Sequence, residues 1–486
     1  MDNNFIKEIP NEDKKSKLVK LFNFLTDITH KEISATSGLS KSEKKRISKL
    51  LVECLNQSGG EVAARERAAN IGQTYLELNK EGRKEVLSLL ASLQFNSQEI
   101  LKKISVLCND LEAGKFKEEN IYRLKDTLKS PRITILKQFN FLEQGIHLLV
   151  EMREDLIKFI DDGEKDLQPL EEDFGYLLNS WFDVGFLELE EITWDSSASL
   201  LQKVIMYEAV HKIQSWSDLE NRLDKDRKFY ALFHPRMKNV PLIFVEVALM
   251  DKVANSVQEI LDESAPTFNV EKANTAIFYS ISNTQNGLRG ISFGNFLIKK
   301  VVKELKAKFP KLKNFVTLSP MPRLMSWLKK ELKSGGLKEI IFNNIKIEKD
   351  VKSKNVNTWT LEQAYDDIAN IINNPIKGFD SYDKNYVETV LRPIIEMLSA
   401  IYLLNKDKKW SNDPVLKFHL TNGAEIYRLN WMGDTSENGM KQSLGLMVNY
   451  FYNLKSVEQN HEDFNEDIKN SSFSVKGMAS KKTIKY

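Results

Sequence analysis

A glycine-containing loop followed by a lysine-rich segment is the part of the sequence best suited to bind an anion. Its residues are Arg289, Gly290, Ile291, Ser292, Phe293, Gly294 and Asn295. Glycine lets a backbone approach a ligand closely, and the free N–H groups at a helix start attract phosphate. Residues 299–313 contain seven lysines and one glutamate, a net charge of +6. A βα turn beside a solvated lysine face is the alternative interpretation.

Two further residues could do chemistry, and each has a plainer explanation. Ser319 follows an apolar run and precedes Pro320, which would end a strand and leave a hydroxyl in a cleft. Ser319 could equally be a simple strand terminator. His419 stands just before the turn signal Asn422-Gly423. A single histidine in such a segment could be structural.

The first ~185 residues carry helical patterns. Residues 63–78 and 82–93 have apolar side chains at three- and four-residue spacing. Residues 131–160 continue that stripe for so long that the pattern predicts one long helix.

Short apolar runs after Trp194 predict strands buried on both faces, at residues 229–234, 241–249, 275–282 and 315–319. Residues 294–309 have Leu297, Val301 and Leu305 four apart, which predicts a helix between the last two strands. This order is a βαβ unit with a right-handed crossover.

The remaining patterns return mostly to helices. Residues 324–404 are predicted to be largely helical, 425–431 a strand and 440–454 a helix. From about Lys455 the chain is polar, and we expect a frayed tail.

Composition excludes several classes of protein. The 486 residues include only 21 glycines and 12 prolines, and 28% are charged, as in a globular chain with long helices. The net charge of +2 argues against a dedicated nucleic-acid binder. Cys54 and Cys108 form no C-x-x-C motif, and two cysteines in so long a chain are expected to be reduced. With no signal-like start and no stretch of 18 apolar residues, we expect a cytoplasmic protein without membrane spans.

The spacing Arg289-x-x-Ser292-x-Gly294 is similar to the pyrophosphate-binding loop of GNAT-type acyltransferases, R/Q-x-x-G-x-G/A, with serine where glycine is usual. In a GNAT-type sheet the acyl thioester lies where the strands beside the following helix splay apart. The carboxyl end of the second strand, here Leu318-Ser319-Pro320, then faces the reactive carbonyl.

A longer set of segments resembles the malonyl-CoA decarboxylase family, in the family's order. The segments are YEAVHKIQSWSDL (207–219), ALFHP (231–235), PLIFVEVAL (241–249), AIFYSIS (276–282), GNFLIKKVVKEL (294–305), TLSPMP (317–322), FHLTNGAEIYRLNWM (418–432) and GLMVNYFY (445–452). The resemblance is dense from about Trp181 to Tyr452. The helical N-terminal part fits the family in length and class without a sharp motif.

The resemblance implies an α-helical N-terminal oligomerisation domain (1–185), a GNAT-like α/β catalytic domain (186–456) with a helical insertion at about 324–405, and a disordered polar tail (457–486). It implies conversion of malonyl-CoA to acetyl-CoA and carbon dioxide, with no cofactor or metal, and a role in fatty acid metabolism. The partners implied are malonyl-CoA and further copies of the chain, as a dimer or tetramer, but neither nucleic acid nor a membrane.

By position, Ser319 matches the family's catalytic serine, His419 its proton-donating histidine and Tyr452 the tyrosine that supports the histidine. Residues 289–295 match the malonyl-CoA-binding loop, and the resemblance implies that Ser319 and His419 also contact substrate. Two departures affect substrate positioning: Arg323-Leu324 replaces the usual G-F, and Ser292 replaces an acidic residue of some members.

Two rival functions share some of these features. A GNAT-type acyltransferase would use the same loop and sheet, but it would need an acceptor site rather than a proton source. A non-catalytic helical scaffold or basic-tail nucleic-acid binder would rest on the lysines after Lys469, and the near-zero net charge argues against it.

Overall fold

The computed structural model describes residues 38–115, 117–291, 293–348, 359–405 and 413–485. These residues form two compact units. The first comprises residues 38–187, 234–238 and 285–291, and the second comprises residues 188–233, 239–284 and 293–485.

The first unit is helical, as the three- and four-residue spacing predicted. Its helices are α1 Lys41–Leu55, α2 Gly60–Glu77, α3 Lys80–Ala91, α4 Ser97–Glu112, α5 Glu118–Thr127, α6 Pro131–Asn140, α7 Gly145–Asp161 and α8 Gln168–Trp181. A capping box starts α1, because Ser40 accepts the Glu43 N–H while the Glu43 carboxylate accepts the Ser40 N–H.

The long helix predicted over residues 131–160 is instead two helices, α6 and α7. The break is stabilised by a close approach that only glycine allows: a Cβ on Gly145 would lie 1.8 Å from the carbonyl oxygen of Phe139. Hydrophobic spacing alone did not reveal this break because both helices bury the same stripe.

The second unit is built on an eight-stranded sheet with a separate two-stranded ribbon. The strands are β1 Glu188–Ile192, β2 Arg227–Phe233, β3 Pro241–Met250, β4 Thr275–Asn283, β5 Asn314–Thr317, β6 Ser319–Pro320, β7 Ile345–Glu348, β8 Glu425–Asn430, β9 Met447–Phe451 and β10 Lys482–Lys485. The sheet order is β1-β2-β3-β4-β5-β9-β6, with β8 also paired to β9, and β10 pairs with β7.

Helices cover this sheet and fill the region between β6 and β8. They are α9 Ala198–Tyr207, α10 Trp216–Arg222, α11 Val257–Leu261, α12 Leu297–Lys308, α13 Leu324–Ser334, α14 Gly336–Asn344, α15 Leu361–Asn373, α16 Lys384–Tyr386, α17 Arg392–Leu404, α18 Pro414–Thr421, α19 Glu437–Ser443, α20 Val457–Asn465 and α21 Phe473–Met478. A π-helical turn, Val387–Leu391, joins α16 to α17.

The predicted βαβ unit is present, since β4 and β5 pair in parallel and α12 lies between them in sequence. The strand cores are apolar on both faces. On the face of β3 that carries Phe244 and Ala248, one buried cluster includes Phe229, Phe244 and Leu219, and a second includes Ile277, Val316 and Met447. A helical first region followed by an α/β sheet domain is therefore the fold, and that part of the sequence prediction is confirmed.

The helix predicted at 440–454 is wrong, because α19 ends at Ser443 and β9 follows. Leu444 and Gly445 both adopt positive φ, 54° and 77°, which stops the helix. The next five residues are buried on both sides of a strand between β5 and β8.

The tail from residue 457, expected to be disordered, forms α20, α21 and β10. Its order comes from burial and pairing: Val475 and Ile484 are buried, and β10 pairs in register with β7. The Lys469 ammonium group donates to the carbonyl oxygens of Leu403 and Asn405 at 3.1 and 2.6 Å.

Among the described residues, every helix is too short or too polar to cross a lipid bilayer.

Candidate active site

A cleft opens in the sheet of the second unit where two parallel strands part. β4 and β5 pair only as far as Phe278 opposite Thr317. The chain then turns away, and Ser319 pairs with Val448 of β9 instead. The end of β4 and the start of β6 therefore face each other across a gap, as expected for splayed strands.

This gap contains a cavity of about 210 Å³. Its lining is mostly apolar, and it includes Ser319 and His419. The lining residues are Val210, Phe278, Tyr279, Ile281, Asn283, Ser319, Pro320, Pro414, Val415, Phe418 and His419. A largely apolar cavity with two polar groups side by side is the usual form of a small-molecule site.

Ser319, His419 and Tyr452 form one hydrogen-bonded row at this cavity. Ser319 Oγ lies 3.0 Å from His419 Nε2, and His419 Nδ1 lies 2.8 Å from Tyr452 Oη. All three side chains are buried, with 6%, 2% and 3% of their surface exposed. The structure thus brings together the three residues that the sequence singled out, which are up to 133 positions apart.

The helix that carries His419 is short and firmly capped. Asp413 accepts the N–H groups of Val415 and Leu416 at 2.9 and 3.1 Å, and it also accepts the Tyr402 hydroxyl at 2.7 Å. This N-cap starts α18 where its last turn presents His419 to the cavity.

Sequence reasoning missed two residues that hold the row in place. The Ser319 hydroxyl donates to Thr317 Oγ1 at 2.8 Å, and the Tyr450 ring stacks on the His419 imidazole at 4.5 Å between centroids. Each stands two positions before a site residue in a strand segment, Thr317 before Ser319 and Tyr450 before Tyr452. Side chains at this spacing share a face of a strand, and that was the available signal.

Burial keeps His419 neutral. It lowers the pKa of His419 to about 3, and it raises the pKa of Tyr452 well above its usual range. A buried neutral tyrosine needs an acceptor for its proton, and Nδ1 is its partner. We therefore assign Tyr452 O–H as the donor to Nδ1, so His419 carries its proton on Nε2 and donates to Ser319 Oγ.

Gly294 of the predicted anion-binding loop lies next to Phe418, a residue of the cavity wall. A Cβ on Gly294 would lie 3.3 Å from the Phe418 ring, which lines the cavity. The exposed Lys299 follows in the first turn of α12. The start of α12 therefore lies beside the cavity within the second unit.

The other loop residues are arranged as follows. In the first unit the Arg289 guanidinium pairs with the Asp161 carboxylate at 3.0 Å, Gly290 has a φ of +83°, and Ile291 is buried. In the second unit Phe293 is buried. Ser292 and the side chain of Asn295 lie outside the described residues.

Across the parts of the chain that the structure describes, no three His, Cys, Asp or Glu side chains come close enough together to hold a metal ion.

These features define a two-part protein with a helical first region and an α/β domain that carries a buried Ser–His–Tyr row. The sequence matches two protein families, the malonyl-CoA decarboxylase N-terminal domain over residues 94–182 and the malonyl-CoA decarboxylase C-terminal domain over residues 185–483. Because the second match alone spans more than half of the sequence, the chain belongs to the malonyl-CoA decarboxylase family.

Curated relatives agree with this assignment. The mitochondrial malonyl-CoA decarboxylase of Anser anser anser is 37% identical over 339 residues, which are 68% of this chain and 66% of the relative. The Rattus norvegicus protein of the same name is 34% identical over 326 residues, 66% of this chain and 65% of the relative. The chain thus matches just under two thirds of the length of each.

Solved structures agree as well. The malonyl-CoA decarboxylase of Agrobacterium vitis has a TM-score of 0.77 at 35% identity, covering 90% of this chain and all of that one. That of Rhodopseudomonas palustris has a TM-score of 0.75 at 35% identity, covering 89% and 99%.

Proposed function

We propose that this chain is a carboxy-lyase that converts malonyl-CoA to acetyl-CoA and carbon dioxide. The observation that carries the proposal is the hydrogen-bonded row of Ser319, His419 and Tyr452 at an apolar cavity. Membership of the malonyl-CoA decarboxylase family supports the choice of substrate.

The reaction breaks the bond between the α-carbon and the carboxylate. The electron pair moves onto the α-carbon and the thioester oxygen, carbon dioxide leaves, and the α-carbon takes up one proton. The thioester is the electron sink, so the reaction as written requires no further group. A donor aimed at the thioester oxygen stabilises the charge that develops there.

Neutral His419 suits the role of that donor. Its Nε2–H, which donates to Ser319 Oγ in the structure, hydrogen-bonds the thioester oxygen once substrate occupies the cavity. A pKa of about 3 leaves few imidazolium ions at neutral pH to supply a proton directly. The Ser319 hydroxyl, which donates to Thr317 Oγ1 in the structure, turns to the departing carboxylate, then gives its proton to the α-carbon and takes a replacement proton from solvent. Tyr452 keeps His419 in the Nε2–H tautomer.

Residues 293–295 of the loop and the lysines of α12, all in the second unit, are the proposed coenzyme A site. Support comes from the absence of a side-chain cap at the start of this 12-residue helix, where the helix dipole favours an anion, from the exposed Lys299, and from the position of Gly294 next to the cavity-lining Phe418. Inhibition of turnover by added coenzyme A tests this placement.

The direct test of the activity uses purified full-length protein with malonyl-CoA and nothing else. We expect equal amounts of acetyl-CoA, from a coupled assay, and of carbon dioxide. An acyltransferase would instead consume malonyl-CoA only when an acceptor is added, without releasing carbon dioxide.

The pH dependence of the reaction should lack a histidine ionisation. Because burial favours neutral imidazole and lowers the pKa of His419 to about 3, the free enzyme stays in one protonation state at this residue from pH 5.5 to 7. We expect kcat/KM to change less than about threefold over this range, since kcat/KM reports ionisations of the free enzyme. Malonyl-pantetheine lacks the nucleotide phosphates of coenzyme A, so with this substrate their ionisation does not contribute to the pH profile. An acidic limb near pH 6.5 with this substrate would contradict the neutral His419.

Self-association is proposed to involve the hairpin of α4 and α5. Every described side chain of both helices is at least partly exposed, and several large apolar residues have 39–63% of their surface exposed: Leu101, Ile104, Val106, Leu111, Ile121 and Tyr122. We expect Leu101→Asp to lower the mass measured by light scattering toward that of one 56.1 kDa chain. Asn109→Asp adds the same charge at an exposed polar position of α4 and should leave the mass unchanged. A wild-type mass of one chain would refute the proposal.

A cytoplasmic location stays a prediction, while the curated relatives are named mitochondrial proteins. Cell fractionation of the native protein tests it.

A further inference from the structure

A buried carboxylate behind the cavity wall, that of Glu208, has more hydrogen bonds than any residue of the Ser–His–Tyr row. Glu208 Oε1 accepts the N–H groups of Val210 and His211 at 2.8 and 2.7 Å. The Ser280 hydroxyl lies 2.8 Å from both carboxylate oxygens, and the Ser282 hydroxyl lies 3.0 Å from Oε2. Glu208 is 5% exposed, so these partners replace water almost completely.

The partners of Glu208 alternate with residues that line the cavity. Val210 is itself a lining residue. On β4, Ser280 and Ser282 point to Glu208, and Ile281 between them lines the cavity from the other face of the strand. One carboxylate thus fixes two separate stretches of the cavity wall relative to each other.

The strand that Glu208 holds is irregular at this place. β3 and β4 pair Glu246 with Ser280 but Val247 with Phe278, so Tyr279 is an unpaired bulge residue. A bulge re-aims side chains, and here it lets both Phe278 and Tyr279 line the cavity. The bulge interrupts the ladder of hydrogen bonds between β3 and β4. The hydrogen bond between Ser280 and Glu208 is therefore more important for holding this segment of β4 in place.

Glu208 lies among other buried charged side chains, and removing these charges from water costs free energy. Burial and the neighbouring Glu208 carboxylate raise the pKa of Glu246 to about 8. Arg222 lies 3.3 Å from Glu246 and forms a two-point contact with Asp218 at 2.7 and 3.1 Å. A buried cluster of this kind adds little net stability compared with apolar packing. We therefore look for its role in the positions of the residues that it holds.

We propose that Glu208 is a positioning residue for the reaction: by tying residues 208–211 to β4, it holds Val210, Tyr279 and Ile281 as a fixed wall opposite Ser319 and His419. This inference rests on the proposed decarboxylation. Glu208 acts through the wall and does not touch the reacting atoms.

The test is Glu208→Gln, which keeps the size of the side chain and removes the charge that four donor groups share. We expect kcat with malonyl-CoA to fall by about 10-fold to 100-fold, because displacements near 1 Å at a reacting group have effects of this size. KM should change less than about threefold, because the proposed coenzyme A contacts lie elsewhere. The N–H groups of Val210 and His211 should exchange with deuterium faster than in the wild type.

Asp218→Asn is the matched control, since it removes one carboxylate charge from the same buried cluster. Asp218 contacts Arg222 and the Gln214 N–H but none of the residues that line the cavity. We expect any loss of thermal stability in this variant to come without the loss of kcat. Should Glu208→Gln fail to fold, the double variant Ser280→Ala/Ser282→Ala keeps the carboxylate and removes its contacts with β4, together with the Ser282 hydroxyl that accepts the Ala209 N–H at 3.3 Å. The same fall in kcat is expected.

Three outcomes would overturn the inference. A folded Glu208→Gln protein with wild-type kcat would show that the position of the cavity wall does not depend on the Glu208 carboxylate. Equal losses of kcat in Glu208→Gln and Asp218→Asn would reduce the role to general stability. Unchanged exchange at Val210 and His211 would show that Glu208 does not hold the segment. In contrast, a wild-type protein that releases no carbon dioxide would refute the proposed function. The exchange measurement would still show whether Glu208 holds residues 208–211 in place.

Discussion

His419→Asn is expected to lower kcat for malonyl-CoA by roughly 10²–10⁴-fold, the usual contribution of a positioned proton-handling group. Asparagine fits the space and offers an amide, but its N–H cannot reach the position of Nε2. The variant therefore loses the donor to the thioester oxygen and the link between Ser319 and Tyr452. KM should rise far less, since the imidazole is proposed to act mainly on charge that develops during the reaction.

The matched control for this variant is His461→Asn. His461 also contacts α18, through Nδ1 and the Thr421 carbonyl oxygen at 2.5 Å, but it is not among the cavity-lining residues. We expect its kcat to stay within about threefold of the wild type, since it lies outside the proposed transition-state contacts. Carbon dioxide release and circular dichroism should be measured for both proteins. Wild-type turnover by a folded His419→Asn protein would contradict the assignment of this residue.

Much of the second unit followed from local patterns in the sequence. The run 241–249 is apolar at every position except Glu246, which is typical of a strand buried on both faces, and β3 has these bounds within one residue. The helix between β4 and β5 likewise followed from its four-residue spacing. These predictions succeeded because each depends on the burial of a single element.

The failures depend on contacts that a local pattern does not contain. The pairing of β9 with β5, β6 and β8 overrides the helical spacing of residues 440–454, and the pairing of β10 with β7 orders a polar tail. The Ser–His–Tyr row became a hypothesis through family resemblance, because no local rule brings Ser319 near His419. Glu208 gave no signal at all, since an isolated glutamate at a helix end is usually exposed.

Gly423→Ala should be among the most damaging single-methyl changes in the second unit. Gly423 follows the helix of His419 with a φ of +79°, and a Cβ there would lie 1.9 Å from the carbonyl oxygen of Val457. The Asn460 side chain also donates to the Gly423 carbonyl oxygen at 3.1 Å, so α20 is fastened to this turn. Backbone strain and the steric overlap together should cost about 3 kcal/mol or more.

Gly335→Ala separates these two causes. Gly335 has nearly the same φ, +81°, but a Cβ there would meet nothing within 4 Å. Its substitution should therefore cost only the strain of a left-handed alanine, about 1–2 kcal/mol. Denaturant midpoints of both variants give the comparison. Equal shifts would mean that the turn relaxes away from Val457 at little cost.

Measuring kcat distinguishes a local displacement of His419 in Gly423→Ala from a general loss of stability. The Ala424 N–H donates to the His419 carbonyl oxygen at 3.1 Å, so a shift of the turn away from Val457 must move the end of α18. We therefore expect a fall in kcat even at temperatures where the variant is folded, with kcat of Gly335→Ala unchanged. That result would show that Gly423, which has no chemical role of its own, helps to position the His419 imidazole.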